Sequence, residues 1–507
     1  MKLLPLLTDT SPGACKSGCA SGPATPDIEA RVQALETEMR TRVDKVTKHP
    51  GTILPKLPAH RPAPADIRLA SDARLPLASE IAYRNVDGAH LWIAVQEGAV
   101  LVLDDTDNER FGKLMAGSGP RELVSSELGR HATSADVAER LGSLLGRIAG
   151  AGFLSAASGY HGARLPTPHR FARLHLTKAC QLQCVHCYAD SSPRADRSGE
   201  RPTEWWRSVL ERLASVGGER VLFTGGEALV HRGCLELMRC AKDLGMHVTL
   251  FTNGILVPKA LDAIVATCDQ VQVSLDGPIP EINDPIRGKG SYGKAVRALE
   301  ALLPTKVHVR VGITTMADNW DAWRAHFLNF ADRFAGTGLE YRMSFGVTEH
   351  GRAEGLGQQL DPKISQPEVQ RLMAAVGSGE ESRRVTRKTS GCGYFEQIVI
   401  GPDGTLYPCH LLDAPLGHLD DHSMEEWVRR FTELASLFSV DHTEGCSVCD
   451  IRYLCGGTCR VMNGKRTGSR LITNCTDADK LRRFRNLVRT YINQPAAATV
   501  AESDGRN

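Results

Sequence analysis

Apolar runs of strand length alternate with longer amphipathic stretches between residues 170 and 350. The runs are Arg173–Thr177, Val221–Thr224, Val248–Thr252, Val271–Leu275, Val307–Thr314 and Leu339–Phe345. Each is rich in aliphatic and β-branched residues, and the segments between them are long enough for a crossover helix. That alternation predicts an α/β fold around a parallel sheet, either open or closed into a barrel.

Upstream, Leu91–Val95 and Val100–Leu103 flank Gln96, Glu97 and Gly98, which predicts a hairpin. Asp104, Asp105 and Thr106 then lead into a helix carrying Phe111 and Leu114. Val137, Leu141, Leu144, Leu145 and Ile148 recur at helical spacing, and Gly152, Phe153 and Leu154 close a small domain over 75–157. Residues 1–70 are rich in Pro, Ala and charge and read as a tail or linker, with one polar helical stretch over Asp27–Lys48. Residues 168–350 hold the strand–helix alternation, and 351–390 are a Gly-rich, charged linker with helix and loops. Residues 391–480 concentrate cysteine and show little periodicity, the pattern of a fold held by metal rather than by a core. A C-terminal helix and a low-complexity tail after Gln494 fill 481–507.

A chain of 507 residues exceeds one core, in line with several domains. Its formal net charge of +2 argues against bulk binding to nucleic acid. Arg121, Arg130, Arg140 and Arg147 are spread among acids, so a DNA-reading helix in the small domain is not supported. No apolar run reaches the length of a membrane span. The opening MKLLPLLTDTSPGAC is too short in its apolar part for a lipid-anchored signal, and Pro5, Asp9 and Pro12 interrupt it. A cytoplasmic location without membrane contact follows, and with it reduced thiols.

Fifteen cysteines in a reducing compartment point to metal. Ten fall into two tight patterns. Of the others, Cys234, Cys240 and Cys268 read as packing residues and Cys15 and Cys19 as unpaired tail thiols. His60 and His161 sit in Pro- or Gly-rich loops and need no role.

The first pattern is Cys180, Cys184 and Cys187, at C-x3-C-x2-C spacing directly after the first strand of the alternating region. Three thiolates can wrap one face of a cubane cluster and leave a fourth iron open to a small chelator. Taken alone, the three would also suit zinc. Further features follow at successive strand ends: Gly225, Gly226 and Glu227; Thr252, Asn253 and Gly254; Ser274 and Asp276; then Arg287. In this order they resemble the radical S-adenosylmethionine (SAM) superfamily.

The resemblance implies a partial (β/α)6 TIM-type barrel and a SAM-binding 4Fe–4S cluster on Cys180, Cys184 and Cys187. It implies SAM contacts from Gly225, Gly226, Glu227 (the amino group), Asn253, Ser274 and Asp276 (the ribose) and Arg287 (the carboxylate). The glycines of the motif are expected to let backbone approach that ligand closely. His186 stands where many relatives carry an aromatic residue and stays compatible with contact to adenine.

The second pattern is Cys392, Cys409, Cys446, Cys449, Cys455, Cys459 and Cys475. All seven match the SPASM extension of that superfamily. The resemblance implies two auxiliary 4Fe–4S clusters, one on Cys392, Cys409 and Cys459 and one on Cys446, Cys449, Cys455 and Cys475. Seven is an odd count for two zinc sites. The fourth position of the first auxiliary cluster is open to a substrate thiolate or carboxylate, or is filled by His410, an acid or water.

The small domain, winged-helix-like and α+β, resembles the recognition element of enzymes that modify ribosomally synthesised peptides. Such domains add a leader peptide as a strand to a sheet edge. Together these resemblances imply an oxidoreductase that generates a 5′-deoxyadenosyl radical to modify a precursor peptide, by a thioether or carbon–carbon crosslink, with its leader bound by 75–157. An electron donor such as flavodoxin or ferredoxin is implied as a partner. Alternatives are a sulfatase-type maturase of a folded protein and a non-catalytic peptide-binding or electron-transfer protein.

Overall fold

The computed structural model describes residues 77–78, 80–118, 123, 134–153, 167–376 (345, 359 and 361 apart) and 391–492. The 1–70 tail with its Asp27–Lys48 stretch, Cys15, Cys19, His60, Arg121, Arg130, Leu154, His161 and the residues after Gln494 lie outside these.

The small domain opens with β1 (Ile81–Val86), β2 (Ala89–Ala94) and β3 (Ala99–Leu103), an antiparallel sheet in the order β1-β2-β3. The expected hairpin is β2–β3, with Ala94 opposite Ala99. Helix α1 (Asp105–Met115) follows, capped by the Asp104 carboxylate on the Asp107 amide at 2.8 Å, and then α2 (Ser134–Gly150). Side chains of a strand alternate between faces. Leu101 and Leu103 pack with Phe111, Leu144 and Ile148 beneath the helices. Val100 and Val102 point the other way, with Leu91 and Ile93, into a second core shared with Val440, Ile451, Tyr453 and Leu487. Burial on both faces explains why these strands read as unbroken apolar runs.

The central region runs β4 (Phe171–His175), α3 (Thr203–Ser215), β5 (Arg220–Thr224), α4 (Cys234–Asp243), β6 (His247–Thr252), α5 (Val257–Thr267), β7 (Gln270–Ser274), α6 (Pro280–Arg287), α7 (Ser291–Leu302), β8 (His308–Ile313), α8 (Ala317–Asp332) and β9 (Glu340–Met343). All six expected strands are present, and β4 to β9 pair in parallel in chain order. Residues buried against the helices alternate with polar ones: Ala172 and Leu174 flank Arg173, Val309 and Val311 flank Arg310, and Tyr341 and Met343 flank Arg342. Five strand spacings separate β4 from β9, about 24 Å along a flat sheet. The charge of Arg342 nonetheless acts on Arg173. The sheet therefore curls into an open barrel with these polar residues inside. Cys234 and Cys268 are buried in the core and Cys240 packs at its margin, as packing residues should.

Helix α9 (Pro362–Ala375) buries Val369 and Leu372 against that core, so the expected linker is docked over this part. Past it, β10 (Ile398–Ile400) pairs parallel to β4, and β11 (Thr405–Tyr407) and β12 (Gly417–His418) continue antiparallel. The result is one nine-stranded sheet that crosses the expected domain boundary. Helices α10 (Met424–Leu437), α11 (Arg452–Cys455), α12 (Arg460–Thr467) and α13 (Asp477–Tyr491) complete the described chain. The expectation that metal stands in for a core over 391–480 needs correction. Tyr394, Phe395, Trp427, Phe431 and Phe438 are buried there, with Phe395 5.5 Å from Phe431 and 5.4 Å from Phe438 between ring centroids. Among the described residues, no helix is long and apolar enough to cross a membrane.

Candidate functional site

The loop after β4 carries Cys180, Cys184 and Cys187, all free thiols. Cys180 and Cys184 are buried. Burial pushes the Cys180 thiol up to about 11, against hydrogen bonds from the Leu182 amide at 3.4 Å and Asn253 Nδ2 at 3.6 Å. Cys187 Sγ accepts from the Ser191 amide at 3.5 Å. Each neighbouring thiol raises the next, Cys184 acting on Cys180 and Cys187 on Cys184, so the three stand together.

Gly225 and Gly226 pass directly behind this loop. A Cβ on Gly225, whose φ is +142°, would meet the Thr177 carbonyl oxygen at 2.5 Å, and one on Gly226 would meet that of Ala179 at 2.4 Å. The amides of Gly226 and Glu227 donate to those same two carbonyls, at 2.7 and 3.0 Å. The close approach that requires glycine here is therefore to the cluster loop's own backbone, where a ligand contact was expected. Glu227 follows, fully buried. Its Oε1 accepts from Thr252 Oγ1 at 2.9 Å and its Oε2 from the Asn253 amide at 2.7 Å. Desolvation raises its carboxyl above the ordinary range despite those bonds. Asn253 also reaches Gln181 Oε1 at 3.1 Å. The ends of β5 and β6 and the first turn of the cluster loop thus form one network.

Ser274 ends β7 and is half-buried. Asp276 just beyond it is completely buried. Its Oδ2 meets Arg287 Nη1 at 2.5 Å and His186 Nε2 at 3.2 Å, and its Oδ1 accepts from the Thr314 amide at 2.8 Å. Its backbone oxygen takes Asn319 Nδ2 at 2.8 Å and Trp323 Nε1 at 3.2 Å. Burial works to raise this carboxyl, but Arg287 and His186 outweigh it and hold the group well below the carboxylate range. In this arrangement Arg287 and His186 are aimed at Asp276.

Sequence reasoning passed over Arg352. It donates from Nε to the Cys184 carbonyl at 2.9 Å, from Nη1 to Asp190 at 2.7 Å and from Nη2 to the Ser191 carbonyl at 2.6 Å. Its own amide donates to the Cys187 carbonyl at 3.0 Å. It braces the cluster loop from more than 160 residues away, and no local motif marks it.

The seven C-terminal cysteines fall into two groups. Cys446, Cys449, Cys455 and Cys475 line one cavity, together with Thr458, Lys480 and Arg483. Burial pushes the Cys409 thiol up, and nearby Cys459 and Cys392 add to the effect. Those three make the other group. The His410 ring packs edge-on against Tyr188, with centroids 5.7 Å apart. Asp413 lies near Cys409 and is paired with Arg470 at 2.8 Å. Among the described residues, no three His, Cys, Asp or Glu side chains close around a point as ligands of a single ion would. Soft thiolate donors in sets of three, three and four suit iron–sulfur clusters.

Comparison with known proteins agrees with the first group. Residues 174–331 match the model of the radical SAM superfamily. The AdoMet-dependent heme synthase of Oleidesulfovibrio alaskensis is 25% identical over 336 residues, covering 60% of this chain and 85% of that protein. The mycofactocin maturase MftC of Mycolicibacterium smegmatis is 30% identical over 245 residues, 47% of this chain and 58% of the maturase. The sporulation killing factor maturation protein SkfB of Bacillus subtilis is 29% identical over 266 residues, 50% of this chain and 63% of that protein. The chain thus spans less than two thirds of each of these two maturases. The crystal structure of Streptococcus suis SuiB bound to S-adenosylmethionine aligns over 79% of this chain and 99% of that one, with a TM-score of 0.48 and 14% identity. The curled parallel sheet and the three thiols after its first strand fall in and beside the stretch, 174–331, that matches the radical SAM superfamily.

Proposed function

We propose that the protein is a radical SAM maturase that modifies a ribosomally synthesised precursor peptide. Cys180, Cys184 and Cys187 would hold the SAM-binding cluster, and the other seven cysteines two auxiliary clusters in the groups of three and four. Cluster and SAM, when bound, supply a 5′-deoxyadenosyl radical that takes a hydrogen atom from the substrate. The chain's part is to brace the loop through Arg352 and to fix Asn253 through Glu227. The product class is a thioether or carbon–carbon crosslink, an oxidative outcome for which the auxiliary clusters would serve as electron acceptors.

The observation that carries the peptide reading is the outer edge of β3. Among the described residues no strand pairs with it, and the Val102 carbonyl there is met by Arg147 Nη2 at 2.5 Å. A leader peptide adding as a fourth strand would take that carbonyl from Arg147. The likeness to two peptide maturases supports the same reading. A second reading, modification of a carboxylated tetrapyrrole, draws on the likeness that covers 85% of a heme synthase.

The test combines metal content with leader binding. Anaerobic reconstitution should load about twelve irons per chain, falling to about eight when Cys180, Cys184 and Cys187 are all changed to alanine. With SAM and dithionite the unchanged protein alone should release 5′-deoxyadenosine. A short peptide encoded beside the gene should bind the full chain, and N-methylation of its alternate amides should abolish binding. About four irons would overturn the auxiliary clusters. Unchanged binding of the methylated peptide would overturn strand addition.

A further inference from the structure

On the inner face of the curled sheet stand two arginines that make no ion pair among the described residues. Arg173 on β4 spreads over the Phe251 ring, 5.6 Å from its centroid, its Nε reaches the neutral Gln397 Oε1 at 3.5 Å, and its guanidinium also hydrogen-bonds Tyr188. Arg342 on β9 has no ion pair or hydrogen bond from its side chain among the described residues, and it lies close enough to act on Arg173 and His410. The third interior arginine, Arg310, is different, because Glu340 neutralises it at 2.8 Å and accepts from His308 as well. Beside Arg173 stands His175, 1% exposed, with neither ring nitrogen partnered. Tyr188 packs edge-on between His175 and His410, at 6.3 and 5.7 Å. Burial holds the His175 imidazole well below its ordinary range. The place therefore offers two guanidinium charges that make no ion pair among the described residues, although Glu340 lies near enough to act on Arg342, and an unpartnered imidazole that can donate one hydrogen bond.

Arg173 is half-buried and Arg342 is exposed to the interior of the open curl, and a planar guanidinium pairs best with a carboxylate. The site lies between the cluster loop, to which Tyr188 belongs, and the Cys409 group, beside which His410 sits. We propose that Arg173 and Arg342 hold a carboxylate of the substrate inside the curled sheet, with His175 and Tyr188 beside it. This rests on the maturase reading and names its substrate class: a peptide that presents an acidic side chain or its C-terminal carboxylate at the reacting position. The ordinary alternative is that the arginines balance the negative charge of a cluster on Cys392, Cys409 and Cys459.

The experiment uses the reconstituted full chain and equilibrium dialysis with N-acetyl-glutamate amide, its neutral glutamine counterpart, and N-acetyl-alanine for a C-terminal carboxylate. One of the two acids should bind and the glutamine probe should not. Arg342→Gln and Arg173→Gln should each weaken the bound acid at least tenfold with iron content unchanged, and Arg342→Lys should restore part of the binding. Which acid binds separates side chain from terminus. Equal binding of acid and amide, or insensitivity to both glutamine variants, would overturn the proposal while leaving leader binding as it is. Loss of about four irons in Arg342→Gln would overturn it too, marking the arginines as counter-charges of a cluster. A porphyrin carboxylate that binds through the same arginines, in a chain that binds no leader, would keep the carboxylate and overturn the peptide.

Discussion

Arg452 grips the Glu80 carboxylate with two nitrogens, Nη2 to Oε2 at 2.8 Å and Nη1 to Oε1 at 3.1 Å, and so ties the start of the small domain to the loop between Cys449 and Cys455. Arg84 with Asp450 and Asp87 with Arg485 repeat the link along β1. Glu80 is partly exposed, so solvent screens the pair. Glu80→Gln should cost about 1 kcal/mol, the upper range for a screened but two-pronged ion pair. Hydrogen exchange at β1 should quicken in that variant while iron content holds.

Arg352 has the reverse signature. It takes two carbonyls of the cluster loop in a planar fork that lysine cannot reproduce. Arg352→Lys and Arg352→Gln should both lose about four irons per chain on reconstitution, the content of one cubane. Asp190→Asn, which touches only the exposed arm of the same guanidinium, should keep them.

Asp276 and Arg287 form a buried pair. Asp276→Asn leaves the guanidinium without its counter-charge and should destabilise the fold by roughly 3–5 kcal/mol in urea unfolding. Asp276→Asn combined with Arg287→Met should recover much of that loss, because the remaining charge is then gone. A double variant as unstable as the sum of its parts would show the two act separately.

Glu340 gives the chain a pH dependence of known sign. Burial lifts its carboxyl, but hydrogen bonds from His308 and Arg310 outweigh that and hold it at about 2, against an ordinary value of 4.5. A carboxyl lowered on folding contributes stability that is complete above about pH 4.5 and lost as pH falls toward 2. Glu340→Gln should therefore lower the urea midpoint at pH 7, and the gap to the unchanged protein should narrow as pH drops from 4.5.

The barrel was legible because its strands carry dense Val and Leu flanked by turns, and the cluster loop because three cysteines sit within eight residues. Other parts carry no such local signal. Strand β1 mixes Tyr83, Arg84 and Asn85 into its run, which suits an edge and hides the periodicity. Strands β10 to β12 span only three, three and two residues, too few for alternation to register. Arg352 acts through folding, far along the chain. One signal was present and unread: Arg173, Arg310 and Arg342 each interrupt an otherwise apolar strand, as residues facing a polar interior do.

The second face of the small domain's sheet bears on how chains of this kind can be cut and recombined. Val100, Val102, Leu91 and Ile93 rest on Ile451, Tyr453 and Leu487, around the loop that carries Cys446, Cys449 and Cys455. A splice near residue 157 therefore severs a core rather than a tether. A graft that carries the hairpin onto another scaffold would arrive with a bare apolar face unless α13 travels with it. The small domain and the segment from Val440 to Leu487 share one core and should be moved together.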